Sequence, residues 1–316
     1  MRFTCKLNWW ALVLCLELLG ASARVAPSTA AGLPPAEERR KRELQDRLCG
    51  VKQLNCPYVV EVFADPRLII YYPPKPESEE SLPRERERNP FLAMRFGLLT
   101  AESLERCQEF LRVHAVAFEA AYRMYSVPPE IICGILRIET DFGIPTKLSP
   151  NPLGTIPAIN RLVTLYVRPL PRESSPRHFA RRQAFAVYEL KYLLEASHRL
   201  GWDLFAIPGS PTGAIGLPQF EPSSFNVAVD GNGDGKIDLF DPADAVLSIA
   251  NYLVTRGWDS EPHHQWRAIY AYYGGNYDTD QNKYYMRAVL KYADKVSEYL
   301  KDHPIESQTH LTPEPH

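Results

Sequence analysis

The sequence has 316 residues, of which 45% are hydrophobic, and a formal net charge of −2. That length holds one large or two modest domains with a real core. The charge balance excludes a nucleic-acid binder working through a basic surface, and no long charged block points to an anionic membrane.

Residues 1–23 read as a secretory signal. Arg2 and Lys6 give the positive start, residues 9–19 a mostly apolar core, and Ala21-Ser-Ala23 a small-residue cleavage site. The apolar run is short for a bilayer span. A lipid anchor at Cys15 is not expected, because Leu12 stands where such a site wants a small residue. Cleavage leaves Cys49, Cys56, Cys107 and Cys133 in an oxidising compartment outside the cytosol. Cys49 and Cys56 flank a short loop and are expected to pair. Cys107 and Cys133 fall on apolar helix faces and either pair or remain buried thiols.

Residues 24–91 are expected to form an N-terminal arm and linker. The charged run over 37–47 reads as a loose arm or a short solvated helix. Val59-Val-Glu-Val-Phe63 reads as a short strand or a docking turn, and residues 73–91 as a Pro/Glu/Arg-rich linker. Thr100 can cap one long helix with Glu102 in its first turn. Leu104, Cys107, Leu111, Ala115, Phe118, Tyr122 and Tyr125 form its apolar stripe.

The stretch Val127-Pro-Pro-Glu-Ile-Ile-Cys-Gly-Ile-Leu-Arg-Ile-Glu139-Thr-Asp-Phe-Gly143 starts a helix on its prolines and is apolar on most sides. Gly143 is its expected stop. Glu139 then lies in the last turn of a buried helix, where desolvation and the negative end of the dipole both disfavour a carboxylate. A carboxyl there is expected to hold its proton far up the pH scale, as a general acid must. Asp141, two residues on, should point roughly to the opposite side.

Residues 145–176 are proline-rich, with one short helix near 159–166. Phe179, Ala186, Leu190, Leu193 and Leu194 define another helix, ended by Gly201. Next comes the loop Gly209-Ser-Pro-Thr-Gly-Ala-Ile-Gly-Leu-Pro-Gln219-Phe-Glu-Pro-Ser-Ser224, whose glycines allow close backbone approach and whose Ser210 and Gln219 offer neutral hydrogen-bonding groups.

Asp230-Gly-Asn232-Gly-Asp234-Gly-Lys236-Ile-Asp238 fits an EF-hand calcium loop: oxygen ligands at positions 1, 3 and 5, glycine at 6 and a backbone carbonyl, that of Lys236, at 7. One structural Ca²⁺ is the expected cofactor. Asp241, at position 12, sits before Pro242 and reads as the N-cap of the next helix. Asp244 is therefore expected to supply the last carboxylate, with Asp241 as the alternative. That helix carries Ala245, Val246, Ile249, Ala250 and Leu253 and closes at Gly257. Further helices are expected near 265–273 and 283–301, before a polar tail from Asp302.

The Glu139 motif and the loop over 209–224 together resemble the lytic transglycosylases of the membrane-bound lytic murein transglycosylase B family. That resemblance implies an α+β, predominantly helical chain with a lysozyme-like catalytic core over 92–301, an N-terminal helical portion and the calcium loop. It implies cleavage of the MurNAc–GlcNAc linkage of peptidoglycan with 1,6-anhydro ends, Glu139 acting as acid and then base. Ser210 would orient the N-acetyl group or Glu139, Gln219 would contact the glycan, and Tyr252, Tyr272, Tyr273 and Tyr285 would wall the cleft. Tyr273 departs from a usual asparagine, and Met94 from a usual tyrosine. A monomer is expected, with cell-wall synthesis or division proteins as candidate partners. The rival readings are a hydrolytic muramidase on the same fold and an inert, calcium-stabilised peptidoglycan-binding protein.

Overall fold

The computed structural model describes residues 33–71, 90–92, 97–146, 149–169, 175–274 and 280–305. The expected signal segment with Cys15, most of the linker, Met94 and most of the tail lie outside them. No described helix is long and apolar enough to cross a membrane.

The N-terminal arm is not loose. Helix α1 spans Pro35–Cys49 and α2 spans Cys56–Ala64. Leu44 and Leu48, one turn apart on α1, are both fully buried, and burying a leucine is worth about 1.5–3 kcal/mol. Two such side chains dock the helix, while Arg39, Arg42, Glu43 and Arg47 face solvent and buried Glu37 meets Arg168. The segment expected as a strand or turn is helical because Val59, Val62 and Phe63 bury at helical spacing. The Asn55 side chain caps it, accepting from the Tyr58 N–H at 3.3 Å. A Cys49–Cys56 disulfide joins the two helices.

Thr100 caps as expected, accepting from the Ser103 N–H at 3.3 Å. The single long helix is instead two, α3 (Ala101–Val113) and α4 (Ala115–Tyr125), broken at His114 with φ −109° and ψ 26°. Leu104, Cys107 and Leu111 face the core before the break, and Ala117, Phe118 and Ala121 after it. Ala115 and Tyr122 turn to solvent.

Helix α5 (Pro129–Thr140) is the central element. It ends earlier than Gly143: Asp141 (φ 51°) and Phe142 (φ 59°) already adopt the left-handed conformation. Asp141 is fixed there by Arg106, through Nε···Oδ1 and Nη2···Oδ2 at 3.1 Å, and by Arg137 Nε at 3.1 Å. Burial pushes its carboxyl up even so, with the two arginines opposing.

Helix α6 (Ala158–Val167) packs against α1 and against α7 (Pro176–Leu200), which Gly201 ends at φ 68° as expected. Buried Arg182 of α7 donates to the carbonyls of Leu165 and Arg168 at 2.8 and 2.7 Å, closing the end of α6. Two-residue strands β1 (Ile156–Pro157) and β2 (Pro208–Gly209) pair antiparallel and bring the downstream loop to α6. Helices α8 (Pro242–Thr255), α9 (Pro262–Tyr272) and α10 (Asp280–Asp302) complete the helical body. Helix α10 lies along α5. Gly134 permits that approach, because a Cβ there would lie 3.0 Å from the Val289 carbonyl oxygen.

Gly134→Ala is therefore expected to push α10 away from α5 and lower stability by about 1–3 kcal/mol, read from the urea midpoint. Mass mapping without reductant should recover one bridge, Cys49–Cys56, and two thiols, at Cys107 and Cys133, that react only after denaturation. Reducing a loop of this length should remove about 2–3 kcal/mol; free thiols at 49 and 56 in the native protein would contradict the pairing.

Candidate active site

Glu139 leaves the last turn of α5 half-buried at the edge of an open cavity lined by polar and aromatic side chains. Tyr285 of α10, fully buried, donates its hydroxyl to Glu139 Oε1 at 2.7 Å. A buried phenol hydroxyl left without an acceptor costs about 1–3 kcal/mol, so this contact orients both groups. Burial, with the Glu139 carboxylate alongside, pushes the phenols of Tyr272, Tyr273 and Tyr285 above their ordinary range. They remain neutral donors.

Tyr252 and Tyr272 line the cavity as expected, and so does Tyr273. The Tyr252 and Tyr272 rings meet edge-on at 4.9 Å, and their hydroxyls donate to the Ala271 carbonyl at 3.3 Å and the Pro218 carbonyl at 2.7 Å. Their rings face the cavity while their polar ends hold the frame. Tyr285 differs from expectation: its ring lies behind the lining, stacked 4.8 Å from Tyr273, and only its hydroxyl acts at the site, on Glu139. Asp141 is not brought to Glu139's side, since its carboxylate is taken by the two arginines.

The loop over 209–224 supplies the opposite wall. Gly216 (φ 74°) lies so near Leu239 that a Cβ would stand 2.4 Å from its carbonyl oxygen. Gln219 adopts the left-handed conformation at φ 50°, which strains a side-chain-bearing residue by roughly 1–2 kcal/mol. Its Nε2 donates to the Gly216 carbonyl at 2.8 Å, and it lines the cavity. Ser210 does not line it. Its oxygen accepts the Ala214 N–H at 3.1 Å and the Thr212 N–H at 3.3 Å, and it bonds the Thr212 hydroxyl at 3.1 Å. Ser210 therefore organises the loop instead of touching Glu139 directly.

Three lining residues went unread in the sequence, Phe220, Glu221 and Ser224. Glu221 is a second carboxylate in the cavity, buried to 6% exposure and held by the Thr212 hydroxyl at 3.2 Å. The available signal was an acidic residue between Phe220 and Pro222, inside an otherwise uncharged loop.

The Asp/Asn loop folds on itself. Asp230 Oδ1 accepts the N–H groups of Gly233 and Asp234, and Oδ2 that of Gly235. Asn232 accepts from Asp234, and Asp234 from Lys236. Asp241 caps α8, its Oδ1 accepting from Ala243 and Asp244 at 2.8 and 3.2 Å. Asp244, almost fully buried, turns back to the loop. It accepts Gly231 N–H at 2.7 Å, Asn232 N–H at 3.3 Å and Asp238 N–H at 2.6 Å. Burial pushes its carboxyl up while these N–H groups oppose. Among the described residues, no three acidic, histidine or cysteine side chains converge as a metal cluster. The donor chemistry of the loop is nonetheless all oxygen, which suits a hard cation.

The family model of the transglycosylase SLT domain matches residues 64–309. Membrane-bound lytic murein transglycosylase B of Escherichia coli (strain K12) is 33% identical over 169 residues, 53% of this chain and 42% of that protein, so the match spans under half of that relative's length. Among solved structures, the Escherichia coli lytic transglycosylase Slt35 in complex with calcium superimposes with a TM-score of 0.60 at 21% identity, covering 82% of this chain and 93% of that one. SltB3 from Pseudomonas aeruginosa, in complex with NAG-anhNAM-pentapeptide, gives 0.61 at 20% identity, covering 84% and 80%. These structures share the predominantly helical fold described above, and with a family match over most of its length the chain belongs to the transglycosylase SLT domain family.

Proposed function

We propose that this protein is a lytic transglycosylase cleaving the MurNAc–GlcNAc linkage of peptidoglycan, with Glu139 as acid and then base. The observation that carries the reading is Glu139 at the cavity edge, with a neutral tyrosine hydroxyl directed at one oxygen and aromatic rings lining the wall beside it. Glu139 protonates the leaving oxygen, and the C1–O bond breaks with its electron pair going to that oxygen. The acetamido oxygen of the same sugar closes on C1. Glu139, now a carboxylate, takes the proton of the 6-hydroxyl as its oxygen attacks C1 and displaces the acetamido group. A 1,6-anhydro ring results without an attacking water. The intramolecular hydroxyl outcompetes bulk water through its large effective concentration. Tyr285 holds the reacting carboxyl, Tyr252, Tyr272 and Tyr273 offer faces to sugar rings, and Gln219 offers a neutral amide. A relative named as a lytic murein transglycosylase, and a fold neighbour solved with a NAG-anhNAM-pentapeptide, support this substrate class. The signal-like N-terminal segment supports action in the periplasm.

A hydrolytic muramidase is the second reading, and Glu221 favours it, because two carboxylates in one cleft are the usual requirement for glycoside hydrolysis.

We also propose that Asp230, Asn232, Asp234, the Lys236 carbonyl and Asp244 would hold one structural Ca²⁺. Asp241 is occupied as the α8 cap, which leaves Asp244 to complete the set, and a fold neighbour solved with calcium supports the cation. Such an ion would stiffen the junction of loop and α8, and Tyr252 stands on that helix.

Glu139→Gln should fold normally and lose at least 10²–10⁴-fold in turnover, since both proton transfers use this group. Mass spectra of a wild-type murein digest should show anhydro ends; reducing muramic ends alone would move the protein to the hydrolytic reading. Calcium should raise the melting temperature of the wild type and of Asp241→Ala by several degrees but leave Asp244→Ala unmoved. The opposite pattern would exchange the two aspartates' roles.

A further inference from the structure

One oxygen of Glu221 ends a chain of buried hydrogen-bonding groups. The residue precedes the short helix over Pro222–Val227, where an N-cap would stand, yet its side chain makes no capping bond to that helix. Its carboxylate instead accepts the Thr212 hydroxyl at 3.2 Å. Thr212 has a single hydroxyl proton, so with that proton directed to Glu221 it can only accept from Ser210, 3.1 Å away. Ser210, having given its own proton, accepts the N–H groups of Ala214 and Thr212. With Glu221 ionised, the chain of donors runs one way, from two backbone N–H groups through two buried hydroxyls to one carboxylate. Hydrogen bonds aligned in this sense favour the ionised form of their acceptor and reinforce one another. No lysine, arginine or histidine is among the described residues that line the cavity.

We propose that Glu221 is a fixed anion that stabilises the positive charge developing on the sugar as the glycosidic bond breaks, leaving proton transfer to Glu139. The proposal rests on the reaction given above. While that bond breaks, Glu139 is still releasing its proton, so the full negative charge facing the forming cation is that of Glu221. No bond forms to Glu221, and its protonation does not change. Preorganised charge in a site shielded from water is worth more than the same charge in solution.

The test uses the full chain and a soluble GlcNAc–MurNAc oligosaccharide. Glu221→Gln keeps the volume and the Thr212 bond but removes the charge. Its kcat is expected to fall by about 10²–10³-fold, with KM within about threefold, the melting temperature unchanged and the anhydro product retained. Thr212→Val, which removes only the donated hydroxyl, should lower kcat by about tenfold, and Glu221→Asp should recover part of what Gln loses. A Glu221→Gln enzyme with wild-type kcat overturns the proposal. So does a loss appearing in KM or in the melting temperature, which marks a binding or structural role. Wild-type reducing ends that vanish in Glu221→Gln overturn it as well, by making Glu221 a base for water. A wild type that releases nothing from murein removes the reaction itself, and this role with it, whereas murein turnover unaffected by Glu221→Gln removes this role alone.

Discussion

The hydrogen bond from Tyr285 to Glu139 is the contact on which the site depends, and it exists only because α10 lies against α5. Gly134 removes the side chain that would hold the two helices apart, and Val289 fills the space. Once Tyr285 is fully buried, its hydroxyl requires an acceptor, and the Glu139 carboxyl is the group within reach. The same packing fixes Tyr273 over the Tyr285 ring, so one helix pair sets both the reacting carboxyl and part of its aromatic surround.

Backbone strain is concentrated around this cavity. Asp141 and Phe142 are left-handed just beyond Glu139, and Gln219 is left-handed on the facing loop. Each conformation is unfavourable for a residue with a side chain, and each is held by strong neighbours. Arg106 and Arg137 clamp Asp141, while Gly216, pressed on Leu239, fixes the turn that carries Gln219. Removing one partner of the buried aspartate–arginine group would leave an uncompensated charge, so that cluster serves the geometry of the α5 terminus and not proton transfer.

Asp244 performs a comparable task farther along the chain. Its carboxylate gathers three loop N–H groups to the first turn of α8, while Asp241 caps the same turn. The loop is thereby continuous with a helix whose other end contributes Tyr252 to the cavity. A ligand-free set of hydrogen bonds and an all-oxygen donor set coexist there, because a carboxylate oxygen accepts more than one partner.

The sequence by itself determined what depends on local pattern. The Glu139 helix, its proline start, the Thr100 cap, the Gly201 stop and the cap at Asp241 all follow from short-range rules of backbone donors and apolar spacing, and the structure keeps them. The two motifs around Glu139 and Gln219 were dense enough to indicate the family before any coordinates. Tertiary structure decided what depends on partners distant in the chain. The arm over 35–64 is docked helix because Leu44 and Leu48 are buried where α1 packs on α6, α2 and α7, which no local signal announces. The stripe across His114 concealed a break, since a continuous three-and-four spacing does not record a kink between two helices that each bury their own face. Ser210 turned inward and Glu221 joined Glu139's cavity for the same reason: which wall a loop side chain faces is set by the elements that close around it, and residue type alone cannot specify that direction.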